Sequence, residues 1–199
     1  MLDELLHRVS NHTPHDLQAD RRFPEAAVLV PITRSDEPEL VLTLRASGLS
    51  THGGEVAFPG GRRDPEDPDL IFTALREAEE EIGLPPGLVE VIGPLSPLIS
   101  LHGIKVTPYV GVIPDYVEYL ANDAEIAAVF SVPLEFFRKD PREHTHRIDY
   151  QGHSWYVPSY RFGEYKIWGL TAIMIVELVN LLYDAEIDLH KPPKSFINT

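Results

Sequence analysis

The chain has 199 residues, 43% of them apolar, which fits one globular domain with a full core. Its formal net charge of −14, from 17 Lys and Arg against 31 Asp and Glu, argues against a nucleic-acid-binding surface, which is normally basic. With no cysteine there is no disulfide framework, no thiolate zinc site and no thiol nucleophile.

The N-terminus, Met1-Leu2-Asp3-Glu4, is charged too early for a signal peptide, so a soluble protein of the cytoplasm is expected. Residues 1–10 read as a short amphipathic helix, and residues 11–25 as a polar wrap in which Arg21 and Arg22 are either solvated or within reach of a phosphate. Strands are expected over 26–32 and 40–45, with a loop through Ser35, Asp36 and Pro38 between them. A flexible connection over 48–54 and a short strand over 55–58 then lead into Pro59-Gly60-Gly61.

A helix follows an acidic, proline-broken loop. Asp69 is the expected N-cap and Gly83 the expected stop, because a left-handed residue after a helix suits glycine. Ile71, Ala74, Leu75, Ala78 and Ile82 fall on one side at helical spacing and should be buried. Glu77, Glu80 and Glu81 share an adjoining side, since positions i, i+3 and i+4 are neighbours at about 100° per residue. Like charges so placed repel, and Arg76 can relieve part of this by pairing with Glu80 at i+4. The run is either a solvated acidic face or, with a hard divalent cation on its oxygens, a Mg²⁺ or Mn²⁺ site.

Downstream, strands are expected over 89–92, 103–113 and 126–132, a short helix over 133–137, a hairpin over 144–161 turning at Gln151-Gly152, and a long helix over 167–187. That last stretch is cut by Glu177 and Asn180 before the roughly 20 apolar residues a membrane span needs. The loop from Ser96 to His102 is a place to grip a substrate, and His102 is either a base or a solvated loop histidine. His144 and His146 share a strand face but lack a third zinc ligand. The tail after residue 190 reads as loose.

Arg76-Glu77-Ala78-Glu79-Glu80-Glu81-Ile82-Gly83-Leu84 resembles the R-E-U-x-E-E-x-G-U core of the Nudix hydrolases, where U is a bulky apolar residue. Upstream the family places a Gly, five residues, a Glu, and seven residues before the Arg. Here Gly61 precedes Asp67 at that spacing, but an Asp replaces the Glu and one residue is inserted before Arg76. Leu42-Thr43-Leu44-Arg45-Ala46, Gly54 and Phe58-Pro59-Gly60-Gly61 are similar to the motif of the coenzyme A pyrophosphatase branch, with Ser50 where that motif has an arginine. The late segment from Tyr165 to Ala172 is similar too, so the resemblance spans about residues 26–185 within a single domain, 1–199.

The resemblance implies an α/β fold, the Nudix α/β/α sandwich with a mixed sheet and a loop-helix-loop catalytic motif. It implies metal ligands Glu77, Glu80 and Glu81, with Arg76 orienting the carboxylates, and Mg²⁺ or Mn²⁺ as cofactor. Arg45, Gly60 and Gly61 would meet the substrate, and Glu125 and Asp67 are further candidates. The expected substrate is a small diphosphate: coenzyme A or an acyl derivative, cleaved to 3′,5′-ADP and 4′-phosphopantetheine. ADP-ribose, a dinucleotide or an oxidised nucleotide is the alternative, and a catalytically weak nucleotide-binding module a third. Tyrosines and tryptophans around 150–168 would line either a pantetheine groove or a homodimer interface.

Overall fold

The computed structural model describes residues 2–15, 23–48, 53–150 and 152–193. Arg21, Arg22 and Ser50 lie outside the described residues.

The central strand is β1 (Glu25–Arg34), whose interior positions are buried almost without alternation. Such a strand has both faces covered. It runs parallel to β7 (Lys105–Pro114) over ten residue pairs, from Glu25 opposite Lys105 to Arg34 opposite Pro114. Every other pairing is antiparallel: β2 (Glu39–Arg45) and β4 (Gly60–Arg62) against β1, β3 (Val56–Ala57) and β8 (Ile126–Pro133) against β2, and β5 (Glu90–Pro94) and β6 (Leu98–Ile99) against β7. The sheet is therefore mixed, as expected. A second, three-stranded sheet has β10 (His153–Phe162) between β9 (His144–Tyr150) and β11 (Tyr165–Ile167).

Helices cover both faces of the main sheet. On one face α2 (Leu70–Ile82) buries Ala74, Ala78 and Ile82 against Ala27, Leu29 and Val41. On the other, α1 (Leu2–Ser10), α3 (Leu134–Arg138) and α4 (Gly169–Tyr183) pack Leu6, Val9, Phe137, Ile175 and Val179 against Val30, Ile32, Leu40 and Leu42. The alternation along β1 and β2 sends odd-numbered side chains to the α2 face and even-numbered ones to the other. This is the α/β/α sandwich.

The ends of α2 match the sequence reading. Asp69 accepts a hydrogen bond from the Phe72 amide at 2.8 Å, and Gly83 closes the helix at φ 66°. Its buried side does not match in full. Ile71 is exposed and Leu75 half-buried, whereas Thr73 and Glu81 are inside. Thr73 is held inside by the Asp67 carboxylate and the Asp69 carbonyl, and Glu81 by the Gly60 amide and Arg45.

The helix expected over 167–187 is shorter. Ile167 belongs to β11, and Trp168 is extended ahead of the helix. At the far end Asp184 turns left-handed at φ 51°, and the Asn180 amide brackets Ile187 by donating to its carbonyl and accepting from its N–H, both at 2.9 Å. Glu177, the polar interruption, accepts from the Ser96 amide and hydroxyl and meets His12 at 3.0 Å. Ser96 is thus committed to α4 and Leu98–Ile99 to the sheet, so the expected gripping loop is largely structural. No helix among the described residues is long and apolar enough to cross a membrane.

Candidate functional site

The acidic side of α2 faces the turn at the start of β4, and two glycines make the approach close enough. A Cβ on Gly60 would overlap the backbone of Ala27 and Val28, and one on Gly61 would overlap the Glu77 carboxylate. Neither position tolerates a side chain without displacing strand or carboxylate. The sequence reading gave these glycines to substrate or metal; the structure gives them first to the protein's own strand and carboxylate.

Arg76 is the hub of the outer half of the site. Its Nε and Nη2 donate to the two Asp67 carboxylate oxygens at 3.1 and 3.0 Å, and its Nη1 donates to Glu77 at 2.9 Å and Glu80 at 3.2 Å. The expected i+4 link to Glu80 is present, and the link to Glu77 joins it. Asp67 is buried and also accepts from the Asp64 amide at 3.0 Å and the Thr73 hydroxyl at 2.8 Å. Together with Arg76, those donors hold its carboxyl well below the usual range even though burial opposes them. In turn the paired carboxylates raise the Arg76 guanidinium, keeping it charged. Asp67 is therefore the residue that fixes Arg76, a role the altered spacing left undefined.

The inner half is different. Glu81 is 2% exposed and accepts from the Gly60 amide at 3.0 Å and from Arg45 Nη1 at 3.1 Å. Burial pushes its carboxyl up to about 7, more than those two donors pull it down, and the nearby Glu77 and Glu125 carboxylates add to the rise. Glu77 is also raised, by burial first, against the pull of Arg76 and with Glu80 and Glu125 adding to it. Three carboxylates thus crowd one desolvated spot. Arg45 Nε, buried beside them, has no hydrogen-bond partner.

Glu125 reaches this spot because the segment before β8 is tied to both walls. The Asn122 amide donates to the Glu81 carbonyl at 2.9 Å, and the Asn122 side chain to Glu125 at 3.2 Å. The Ala46 amide donates to the Glu125 carbonyl at 2.7 Å. Asn122 carried no sequence signal for this, since it closes a loop on a helix end remote in the chain. Glu80 stands apart, with 58% of its side chain exposed and Arg76 as its partner.

Among the described residues no three carboxylates or histidines already stand in metal-ligating arrangement, since Arg76 and Arg45 hold several of the oxygens. The chemistry of the donor set nevertheless fits a hard cation. All the groups are oxygens, and the upward push on Glu77 and Glu81 from burial and mutual repulsion marks a place short of positive charge. His144 and His146 lie on β9 with ring centroids 4.9 Å apart, and His146 also lies against Trp168.

Comparison with known proteins bears on this geometry. A family model described as NUDIX domain matches residues 23–150. A relative named uncharacterized Nudix hydrolase NudL, from Enterobacter sp. (strain 638), is 44% identical over 177 residues, covering 89% of this chain and 92% of its own. One of the same name from Yersinia pestis (strain Pestoides F) is 45% identical over 176 residues, covering 85% of this chain and 84% of its own. Among solved structures, a MutT/nudix family protein from Enterococcus faecalis superposes with a TM-score of 0.56 at 16% identity, over 92% of this chain and 70% of its own. A NUDIX hydrolase from Alicyclobacillus acidocaldarius superposes with a TM-score of 0.53 at 19% identity, over 87% of this chain and all (100%) of its own. These two structures show the shared fold.

Proposed function

The chain belongs to the Nudix hydrolase family and is a pyrophosphohydrolase of nucleoside diphosphate derivatives; from that premise we propose that its substrate is coenzyme A or an acyl-coenzyme A. The observation that carries this reading is the convergence of Arg45 and Gly60 on one buried carboxylate, Glu81. These two residues lie in the two halves of the stretch similar to the coenzyme A branch, and they are remote in sequence. A motif whose halves meet on the site carboxylate acts as one working unit.

In this reading Glu77, Glu80 and Glu81 hold the cation, with Glu125 beside them. Mg²⁺ or Mn²⁺, when bound, neutralises diphosphate charge and acidifies a water. The chain's own contribution is positional. Asp67 fixes Arg76, and Arg76 aims Glu77 and Glu80. Gly60 and Gly61 let β4 close against β1 and the Glu77 carboxylate, which sets the position of the carboxylates that the diphosphate would meet. Arg45, with its unpartnered Nε, has a donor to offer a phosphate oxygen. The carboxylate set accepts the proton of the attacking water. Water adds to one phosphorus, the bridging P–O bond breaks, and 3′,5′-ADP and 4′-phosphopantetheine leave.

Ser50 favours a second reading, hydrolysis of another diphosphate such as ADP-ribose or a dinucleotide, because the branch motif has an arginine there. A product assay separates the readings: purified protein with Mg²⁺ or Mn²⁺ and, separately, coenzyme A, ADP-ribose and a dinucleotide. Fastest release of 3′,5′-ADP from coenzyme A is expected. Faster cleavage of another diphosphate would overturn the substrate assignment and leave the family standing. No turnover on any of them would favour a binding module.

A further inference from the structure

The second sheet carries a group of side chains that the hydrolytic site does not use. Lys166 on β11 places its ammonium 5.3 Å from the centre of the Trp168 ring, and the His146 ring lies 5.4 Å from the same indole. Trp168 is 37% exposed, a large amphipathic surface open to solvent. His146 Nε2 is buried with no hydrogen-bond partner, the kind of orphan a native protein usually leaves for a ligand or water. Burial, then the nearby Lys166 and His144, push the His146 imidazole below its ordinary value.

Six exposed arginines of this acidic chain, Arg8, Arg34, Arg63, Arg138, Arg147 and Arg161, meet a carboxylate within 3.2 Å. Among the described residues Lys166 forms no ion pair and instead lies over an indole. A lysine left without a carboxylate, against an exposed aromatic face, is suited to a ligand that brings both a ring and an anion.

The place is right for one end of a diphosphate substrate. β11 pairs with β10 on one side and packs against β3 on the other, and β3 runs directly into Pro59-Gly60-Gly61. The Thr171 hydroxyl donates to the Val56 carbonyl at 3.1 Å, fastening the start of α4 to the same strand. Tyr165 stacks on Phe130 of β8 with ring centroids 3.7 Å apart, which holds β11 from its other end. β3 in turn pairs with β2, the strand that ends in Arg45. Through β3, the Lys166–Trp168 edge therefore neighbours the strand that carries Arg45.

We propose that Trp168, Lys166 and His146 form the subsite for the nucleoside end of the substrate, with the indole stacking on the base and Lys166 pairing with a phosphomonoester on the ribose. This rests on the coenzyme A reading, because the 3′-phosphate is what distinguishes that nucleoside from the one in ADP-ribose. His146 lies against the indole that stacks on the base and backs it from within the sheet.

The test compares coenzyme A with 3′-dephospho-coenzyme A, using wild type, Lys166→Met and Trp168→Ala, and adds calorimetric binding of adenosine 3′,5′-bisphosphate against AMP. Wild type is expected to favour coenzyme A by about tenfold in kcat/KM, the scale of one charge-assisted contact. Lys166→Met should collapse that ratio toward one, through KM, and remove the preference for the bisphosphate over AMP. Trp168→Ala should raise KM for both substrates. Equal use of the two substrates by wild type, or a Lys166→Met effect that is the same on both, would overturn the subsite. If wild type cleaves neither, the coenzyme A reading has failed, and the binding arm decides alone. Bisphosphate binding that depends on Lys166 would still support the subsite, and binding indifferent to Lys166 would sink it.

Discussion

Asp67 and Glu81 are equally shut off from solvent, at 4% and 2% exposure, yet their protons are held in opposite ways. Asp67 meets both prongs of the Arg76 guanidinium, a backbone amide and a hydroxyl, and is kept ionised far below the usual carboxylate range. Glu81 has one amide and one prong of Arg45, with two further carboxylates close by, and is pushed up to about 7. Low exposure alone does not set the outcome: Glu81 lies deeper, so burial is the largest push on its carboxyl and its partners do not offset it, whereas at Asp67 the Arg76 guanidinium and the other donors outweigh burial. A buried acid with all its partners supplied by the fold is structural. A buried acid that the fold leaves short of positive charge carries a repulsion that its own partners do not relieve.

The largest test of that contrast is activity. Glu81→Gln and Glu80→Gln should each lower kcat by two or more orders of magnitude, on the order of 3 kcal/mol in barrier, measured at saturating substrate. Thermal stability should hold or rise in both, as charge is removed from a repulsive cluster. Turnover of Glu80→Gln within about threefold of wild type would remove that half-exposed residue from the site.

Asp67→Asn should act the other way. It leaves Arg76 without its bidentate anion and should cost roughly 3 kcal/mol in urea unfolding, a value typical of breaking a buried pair. Turnover would fall as a consequence, through a misaimed Glu77. A variant with full stability but no activity would place Asp67 in the chemistry and dissolve the contrast.

The pH dependence of stability sharpens it further. Asp67 has a folded value below its unfolded one, so its contribution is present above pH about 4 and is lost as pH falls below that. Glu81 has a folded value above its unfolded 4.5, so its favourable contribution is complete below 4.5 and is lost as pH rises through about 7. Unfolding of metal-free protein should therefore show Glu81→Gln gaining on wild type between pH 5 and 7, a window estimated from the ordinary and shifted carboxylate values. A flat difference across that range would mean that Glu81 is not strained by burial. The smallest effect expected is at the helix cap: Asp69→Ala should cost about 1 kcal/mol in unfolding free energy and leave kcat unchanged.

Much of this was legible in the chain before any tertiary contact was known. The cap at Asp69, the left-handed stop at Gly83, the Glu77–Glu80–Glu81 side and the Arg76–Glu80 link all arise within a single helix, where spacing alone sets which side chains are neighbours. The central strands and the α/β class follow likewise from local apolar runs. What the tertiary structure decided is which carboxylate goes inside and what it meets there. Ile71 reads as core and is exposed, whereas Glu81, read as part of either a solvated acidic face or a cation site, is buried against the Gly60 amide and Arg45. The partners of the two buried acids, Arg76 for Asp67 and Arg45 and Gly60 for Glu81, come from loops and strands distant in sequence. Charge in a folded protein is set by the nearest few ångströms in space, and only the packing of β2, β4 and α2 determines what those ångströms contain.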